Sequence, residues 1–383
     1  MTAPHIVVIG AGATGAAIAH DLALRGLRVT VIERGGVASG ATGHNQAQLH
    51  SGARYCVHDP ESARECIQEN TILRKIMPEG LELNDGLFVA LNDEQVNYRG
   101  TFLEACTQCG IPAHEISAAR ALELEPRLNP RSLAAIRIPD GVFDPYRFCL
   151  SFLATAQRHG ARIRTFVEVV GLDVSRRAVE VRDRRADKTE TLTADLIVNA
   201  AGPWAGKLAA LAGVNVEVEP SAGVMVTVSA RLCNMVINLL APPGDGDIVV
   251  PQRQTAILGT TSWTVSDPDH IAIPPGHIDE IFRVAEQLIP DVRRAPVRGV
   301  MAAARPLLVV PGASGRATTR GFACFDHARD GADGLISVVG GKTTTARFMA
   351  EKLSDLVCAK LGVNAECRTR TTPLLSYRAG MGV

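Results

Sequence analysis

Aromatic side chains are scarce in this chain: ten Phe, four Tyr and two Trp make up 4% of 383 residues. Proteins that hold single-stranded nucleic acid need rows of aromatic platforms for base stacking, which this composition does not supply. A charge surplus is missing too, with 40 Lys and Arg against 40 Asp and Glu. Phosphate backbones select basic faces, so nucleic acid is excluded as the main partner. No apolar run reaches the roughly 18 residues that a membrane-spanning helix needs, and no transmembrane segment is expected. No leader precedes the first strand-like run at His5; cleavage would remove the glycine motif that follows it, so no signal peptide is expected. Cysteine is present but unpatterned. The nine are scattered from Cys56 to Cys367, an odd count that points to reduced cytosolic thiols. The C-x-x-C at Cys106 and Cys109 lies in a helical pattern ending at Gly110, with no second pair at zinc-site spacing. It reads as two residues one helical turn apart, and no metal site is expected.

What the chain does have is concentrated at its start. The apolar run His5-Ile-Val-Val-Ile9 leads directly into Gly10-Ala-Gly12-Ala-Thr14-Gly15, and the next apolar run, from Val29, ends in Glu33. A G-x-G-x-x-G alone is a weak signal. Here it has a strand before it, a helix after it and an acid 18 residues past the third glycine. Gly10 permits the tight turn, Gly12 lets backbone approach a pyrophosphate, and Gly15 lets the helix pack close to the strand. The helix start then turns free N–H groups toward phosphate, and Glu33 is placed to accept hydrogen bonds from a ribose. Thr14 and Arg34 are counted with this dinucleotide-binding set.

The length and the 46% hydrophobic content suit about two domains with ample core. Helices are predicted over 12–26, 61–77, 148–159, 277–289 and 343–361, and short strands over 86–91 and 134–138. A strand is predicted over 161–170, and a small ribbon with a charged turn from 172–181 and 188–192. Buried strands follow at 195–199 and 335–341, and residues 216–262 alternate as strands do. Residues 35–58, rich in Gly, Ser, Thr and Asn, are too irregular for a long element. Nucleotide-type pieces thus recur at the start, middle and end, with antiparallel-looking pieces between them. The expected fold is mixed α/β: a Rossmann-like domain from 1–80, 145–212 and 300–370, interleaved with an antiparallel-sheet substrate domain from 81–144 and 213–299, and a tail over 371–383.

Four segments carry a resemblance across nearly the whole chain. They are Gly40-Ala-Thr-Gly-His-Asn45 running into Leu49-His50-Ser-Gly-Ala-Arg54-Tyr55; Glu61 to Asn70; Ala304-Arg305-Pro-Leu307 with Phe325-Asp-His327-Ala328; and Gly340-Gly341-Lys342-Thr343-Thr344. In these, in this order, the chain resembles the FAD-dependent oxidoreductases of the D-amino-acid oxidase and glycerol-3-phosphate dehydrogenase superfamily, and within it the anaerobic glycerol-3-phosphate dehydrogenase A subunits. It departs from them at His44, where the family has Arg, and at Gln46-Ala-Gln48. The family's A subunits also continue into a cysteine-rich C-terminal domain, whereas this sequence stops at Val383.

The resemblance implies FAD as cofactor and oxidation of a secondary alcohol. That chemistry needs a base for the hydroxyl proton and cations for an anionic tail. His50 is the candidate base, since a neutral imidazole suits that task. Arg54 and Arg305 are candidate anion clamps, Arg305 standing in an otherwise uncharged run. Tyr55, His327 and Lys342 are candidate substrate contacts, and Trp204 reads as packing beside the flavin. By resemblance, Ser39, Gly40, Thr42 and Asn45 hold the pyrophosphate and flavin edges, Val167 offers backbone to adenine, and Ala201 and Gly202 pack on the ribityl region. Gly341, Lys342 and Thr343 open a helix whose positive end faces the flavin. The implied activity is oxidation of glycerol-3-phosphate by hydride transfer to flavin N5, with electrons leaving to an iron–sulfur or second flavoprotein subunit, or to a quinone. Alternatives are another anionic 2-hydroxy compound such as 2-hydroxyglutarate, an amino acid, or a non-catalytic FAD-binding scaffold in a homo- or hetero-oligomer. A cytoplasmic protein is expected, reaching the membrane's inner face only through a partner.

Overall fold

In the computed structural model, residues 3–309 and 319–379 are described; the last four residues of the predicted tail lie outside this set. Two large sheets organise the chain. The first has six strands in the order Phe322–Asp326, Leu335–Gly340, Leu196–Asn199, His5–Ile9, Arg28–Glu33 and Arg162–Thr165, all parallel except the antiparallel first pair. Both faces are covered, which is why its strands read as continuous apolar runs rather than alternating ones. Ile6 and Val8 face the helices Ala13–Leu24, Pro145–Arg158 and Ala346–Leu361. Val7 and Ile9 face a small antiparallel sheet of Val167–Asp173, Ala178–Asp183 and Lys188–Thr193, together with the helix Ala205–Ala210.

The second sheet has nine strands. It is antiparallel except where Val236–Leu239 runs parallel to Gly86–Ala90. Its axis is a long ribbon, Val218–Val228 paired with Val297–Leu308, whose register sets Arg305 opposite Ser221. The helix His277–Leu288 covers one face, burying Ile281, Phe282, Ala285 and Leu288 against Val224, Val226 and Leu258. Three separated stretches of chain supply the first sheet, and two supply most of the second.

Local signals account for most boundaries. The helix Pro60–Ile76 starts where Asp59 accepts the Ser62 amide at 3.1 Å and Pro60 takes the first helical position. Asp144 and Pro145 do the same for Pro145–Arg158. One predicted strand is two. The run 161–170 breaks at Phe166, which takes a left-handed φ of 60° and lies under the Arg185 guanidinium. Residues 162–165 therefore stay in the first sheet, and Val167 opens the small one. The ribbon expected from 172–181 and 188–192 is consequently three-stranded. The predicted 343–361 helix opens as a 3-10 turn, Thr343–Thr345, before the α-helix Ala346–Leu361.

Candidate active site

A cavity of about 1390 Å³ runs from the glycine motif of the first sheet to the long ribbon of the second. Its wall contains Gly10, Gly12, Thr14, Glu33, Arg34, Ser39, Gly40, Thr42, Asn45, Val167, Ala201, Gly202, Gly341, Lys342 and Thr343, and also His50, Arg54, Tyr55 and Arg305. Two predicted residues lie elsewhere. Gly15 sits under the motif, where an added Cβ would stand 1.9 Å from the Gly10 carbonyl oxygen; its place is helix-to-strand packing. His327 is buried at the far end of the first sheet, with Nδ1 2.7 Å from Asp330 and Nε2 2.9 Å from the Ser337 hydroxyl. Both ring nitrogens serve the fold there, and the side chain does not reach the cavity.

At one end the wall suits a dinucleotide. Gly12 caps the helix Ala13–Leu24 with no side chain, and a Cβ on Gly10 would strike the Ala200 carbonyl at 2.5 Å. Backbone therefore lies at the surface of the cavity. The Glu33 carboxylate is fixed by the amides of Ala11 and Gly35, at 2.9 and 2.8 Å. Thr42 Oγ1 accepts from the Ala13 amide at 3.0 Å, and Asn45 donates to the Thr42 carbonyl at 2.7 Å, binding the 39–45 loop to the helix start. Trp204 covers Gly40 and stacks beneath Arg34, 4.3 Å from its guanidinium. Asp269, from the loop after Trp263–Thr264, accepts from Arg34 at 2.7 Å, Trp204 Nε1 at 2.9 Å and Lys207 at 3.2 Å. The sequence marked Trp204 as packing and did not mark Asp269.

At the other end cations converge on His50. Its Nε2 lies 3.5 Å from the Tyr55 hydroxyl. Burial, then the charges of Lys342, Arg54 and Arg320, push the imidazole down to about 3, and burial pushes Tyr55 up to about 12. Both are therefore neutral across the working range. Lys342 donates from Nζ to the Arg320 carbonyl at 2.8 Å and lies 5.1 Å over the Tyr55 ring. Arg305 donates to the carbonyls of Ser221, Ala222 and Thr261 and to the Thr260 hydroxyl, at 3.1–3.3 Å. Arg54 is placed differently from a bare anion clamp: it forms a buried ion pair with Asp247 at 2.7 Å. That partner stands 193 residues away, and no local pattern announces it. Arg320 and Gln46 are further wall residues the sequence reading did not assign, and Gln46 donates to the Gly259 carbonyl. Among the described residues no group of three or more His, Cys, Asp or Glu is arranged to hold a metal ion. Cys106 closes against Cys56, Sγ to Sγ 3.7 Å, and all nine cysteines are free thiols.

The family model for FAD dependent oxidoreductases (DAO) matches residues 5–347. The chain is 43% identical over 387 residues to the A1 subunit of the anaerobic glycerol-3-phosphate dehydrogenase of Haloferax volcanii, covering 97% of this chain and 66% of that protein. It is 40% identical over 371 residues to the A subunit of the anaerobic glycerol-3-phosphate dehydrogenase of Escherichia coli K12, covering 95% and 68%. It thus spans about two thirds of these relatives' length. Among solved structures it is similar to the glycerol-3-phosphate dehydrogenase from Bacillus halodurans complexed with FAD, with TM-score 0.74, 24% identity, and coverage of 97% of this chain and 68% of that one. Glycine oxidase from Geobacillus kaustophilus shares the fold with TM-score 0.76 at 21% identity, covering 97% and 99%. A cavity built for a dinucleotide at one end and ringed by cations at the other, together with these matches, shows that the chain belongs to the FAD dependent oxidoreductase family, in the group of the anaerobic glycerol-3-phosphate dehydrogenase A subunits.

Proposed function

We propose that this chain oxidises the secondary alcohol of glycerol-3-phosphate to dihydroxyacetone phosphate. The observation that carries the reading is an unprotonated His50 on the cavity wall, with Lys342, Arg54, Arg320 and Arg305 around the same end of the FAD cleft. When bound, FAD supplies the hydride acceptor. Of the cavity's lining, Gly10, Gly12 and Glu33 would hold its nucleotide half, and Asn45, Gly341 and Thr343 would border its ring. Arg305 and Lys342 bind the anionic tail, and their existing bonds to backbone oxygens fix their direction beforehand. His50 takes the hydroxyl proton at Nε2, which at 3.5 Å from Tyr55 is not committed to a strong hydrogen bond. The names of the relatives, as subunits, support transfer of electrons to a partner subunit. No helix among the described residues is long and apolar enough to cross a membrane. With the free thiols this supports a cytoplasmic protein that meets a membrane only through a partner.

One observation favours a second substrate class. Asp247 already meets the charge of Arg54, which leaves a smaller clamp, suited to the carboxylate of a 2-hydroxy acid. The test is anaerobic titration of the FAD-loaded protein, following the flavin band at about 450 nm. Glycerol-3-phosphate is expected to bleach it rapidly, and His50→Asn and Arg305→Ala to slow bleaching by at least about 100-fold. Bleaching by 2-hydroxyglutarate alone moves the substrate and keeps the chemistry. No bleaching by any alcohol, hydroxy acid or amino acid refutes the reading and leaves a scaffold.

A further inference from the structure

His50 is gripped through its backbone, by side chains from two other elements. Its amide donates to Thr344 Oγ1 at 3.2 Å, and its carbonyl accepts from Asn70 Nδ2 at 3.3 Å. On either side of it, one carboxylate holds two groups: Asp140 accepts from the Ser51 amide through Oδ1 at 2.7 Å, and from Gln48 Nε2 through Oδ2 at 2.6 Å. Asn70 also donates to the carbonyls of Leu49 and Pro139, and its own oxygen accepts from Arg74 at 2.6 Å. Arg74 in turn donates to the carbonyls of Pro139 and Asp140, at 2.9 and 3.0 Å. Asn70, Asp140, Ser51 and Thr344 are at most 2% exposed. A two-residue strand, Gln48–Leu49, cannot hold its register through its own ladder, so this degree of side-chain bonding needs a purpose.

The geometry points to Asn70 and Asp140 as positioning residues for the base: together they set the height and tilt of the His50 backbone, and so where Nε2 meets the substrate hydroxyl. The inference rests on the reading of His50 as base. Neither residue lines the cavity, so neither can touch substrate or flavin. Their effect passes through the 48–51 segment alone. Proton abstraction depends steeply on such placement, and an error of about 1 Å costs about 100-fold. Asp140 in its ionised form serves both donors at once. An amide at that position presents an N–H to one of them and loses that bond.

The experiment uses the FAD-loaded protein with glycerol-3-phosphate and its C2-deuterated form. Asn70→Asp keeps the bond to Arg74 but removes the donor to the His50 carbonyl; Asp140→Asn removes one of the two acceptors. Each is expected to lower kcat by about 10- to 100-fold and to raise the deuterium isotope effect, with KM within about twofold and FAD content unchanged. Adding Gln48→Glu to Asp140→Asn reverses donor and acceptor across the pair and is expected to recover about tenfold in kcat. A purely structural role would not produce that recovery. Wild-type kcat in both folded variants, with His50→Gln inactive, overturns the positioning role and leaves the base standing. Wild-type rate in His50→Gln overturns both. Loss confined to KM or FAD content, or insoluble protein from both single variants, also overturns the proposal, because those bonds then serve the fold first.

Discussion

Two histidines are held neutral here, for opposite ends. His50 is lowered by burial, then by the charges of Lys342, Arg54 and Arg320. His20, in the helix Ala13–Leu24, is fully buried edge-on to Phe152 at 5.4 Å, and neither ring nitrogen finds a partner among the described residues. Burial, then the charges of His159 and Arg347, lower it to about 3. The consequence for stability has a definite sign. In the unfolded chain an ordinary imidazole takes up a proton below about 6.5, whereas the folded state refuses it until about 3. Stability is therefore fully present above pH 6.5 and is lost progressively as pH falls toward 3. A leucine at this position titrates in neither state. Relative to wild type, His20→Leu is expected to gain about 2 kcal/mol more at pH 5 than at pH 8, read as the change in urea unfolding free energy. An equal difference at both pH values would show that the ring is protonated inside the fold.

At the scale of elements, the loop following Trp263–Thr264 crosses from the second sheet to the nucleotide end of the first, where Asp269 gathers Arg34, Trp204 and Lys207. The cluster pairs two cations with Asp267 and Asp269, so it ties this loop to Arg34, Trp204 and Lys207 without adding net negative charge there. Single surface ion pairs contribute about 0–1 kcal/mol. With three donors on one carboxylate, Asp269→Ala is expected to raise the FAD dissociation rate about fivefold at low salt, and less at about 1 M salt, where the contacts are screened. The recovery of free-flavin fluorescence on dilution measures it, and an unchanged rate at low salt would leave the loop no part in retention. This loop also shows where sequence reading stops. Helices and buried strands of the first sheet were legible because apolar runs, caps and glycines act within a few residues of one another. Phe166 was not, since its left-handed turn is set by backbone bonds to Gly35 and Arg184 from other elements. The strand Val297–Leu308 was not either: its outer half is exposed, and its inward residues are small, so its alternation is muted.

For the whole molecule, the site divides the same way. The dinucleotide end was legible as a contiguous motif, and the placement of His50, Tyr55, Arg305 and Lys342 in one cavity followed segments recognised by resemblance. Arg54 with Asp247, and the Asn70 and Asp140 grip on His50, depend on pairings 20 to 193 residues apart that only the fold assembles. Those long-range pairings also bear on cooperativity. The strand Val297–Leu308 belongs to the second sheet, yet Leu308 packs against the core cluster that includes Val7, Ile9 and Leu335 of the first, and the cavity wall is drawn from both. A ligand filling that wall binds neither sheet once they have parted. Free FAD at about 100 times its Kd contributes about 2.7 kcal/mol to the folded state. Both sheets are therefore expected to unfold in one calorimetric transition that moves upward by several degrees with FAD. Arg54→Ala, which leaves Asp247 buried without its cation, is expected to lower that single transition by an amount corresponding to about 3 kcal/mol or more. Two transitions, with FAD moving only one, would mean that the sheets are separate cooperative units and that the cavity wall on the second sheet contributes nothing to holding the cofactor.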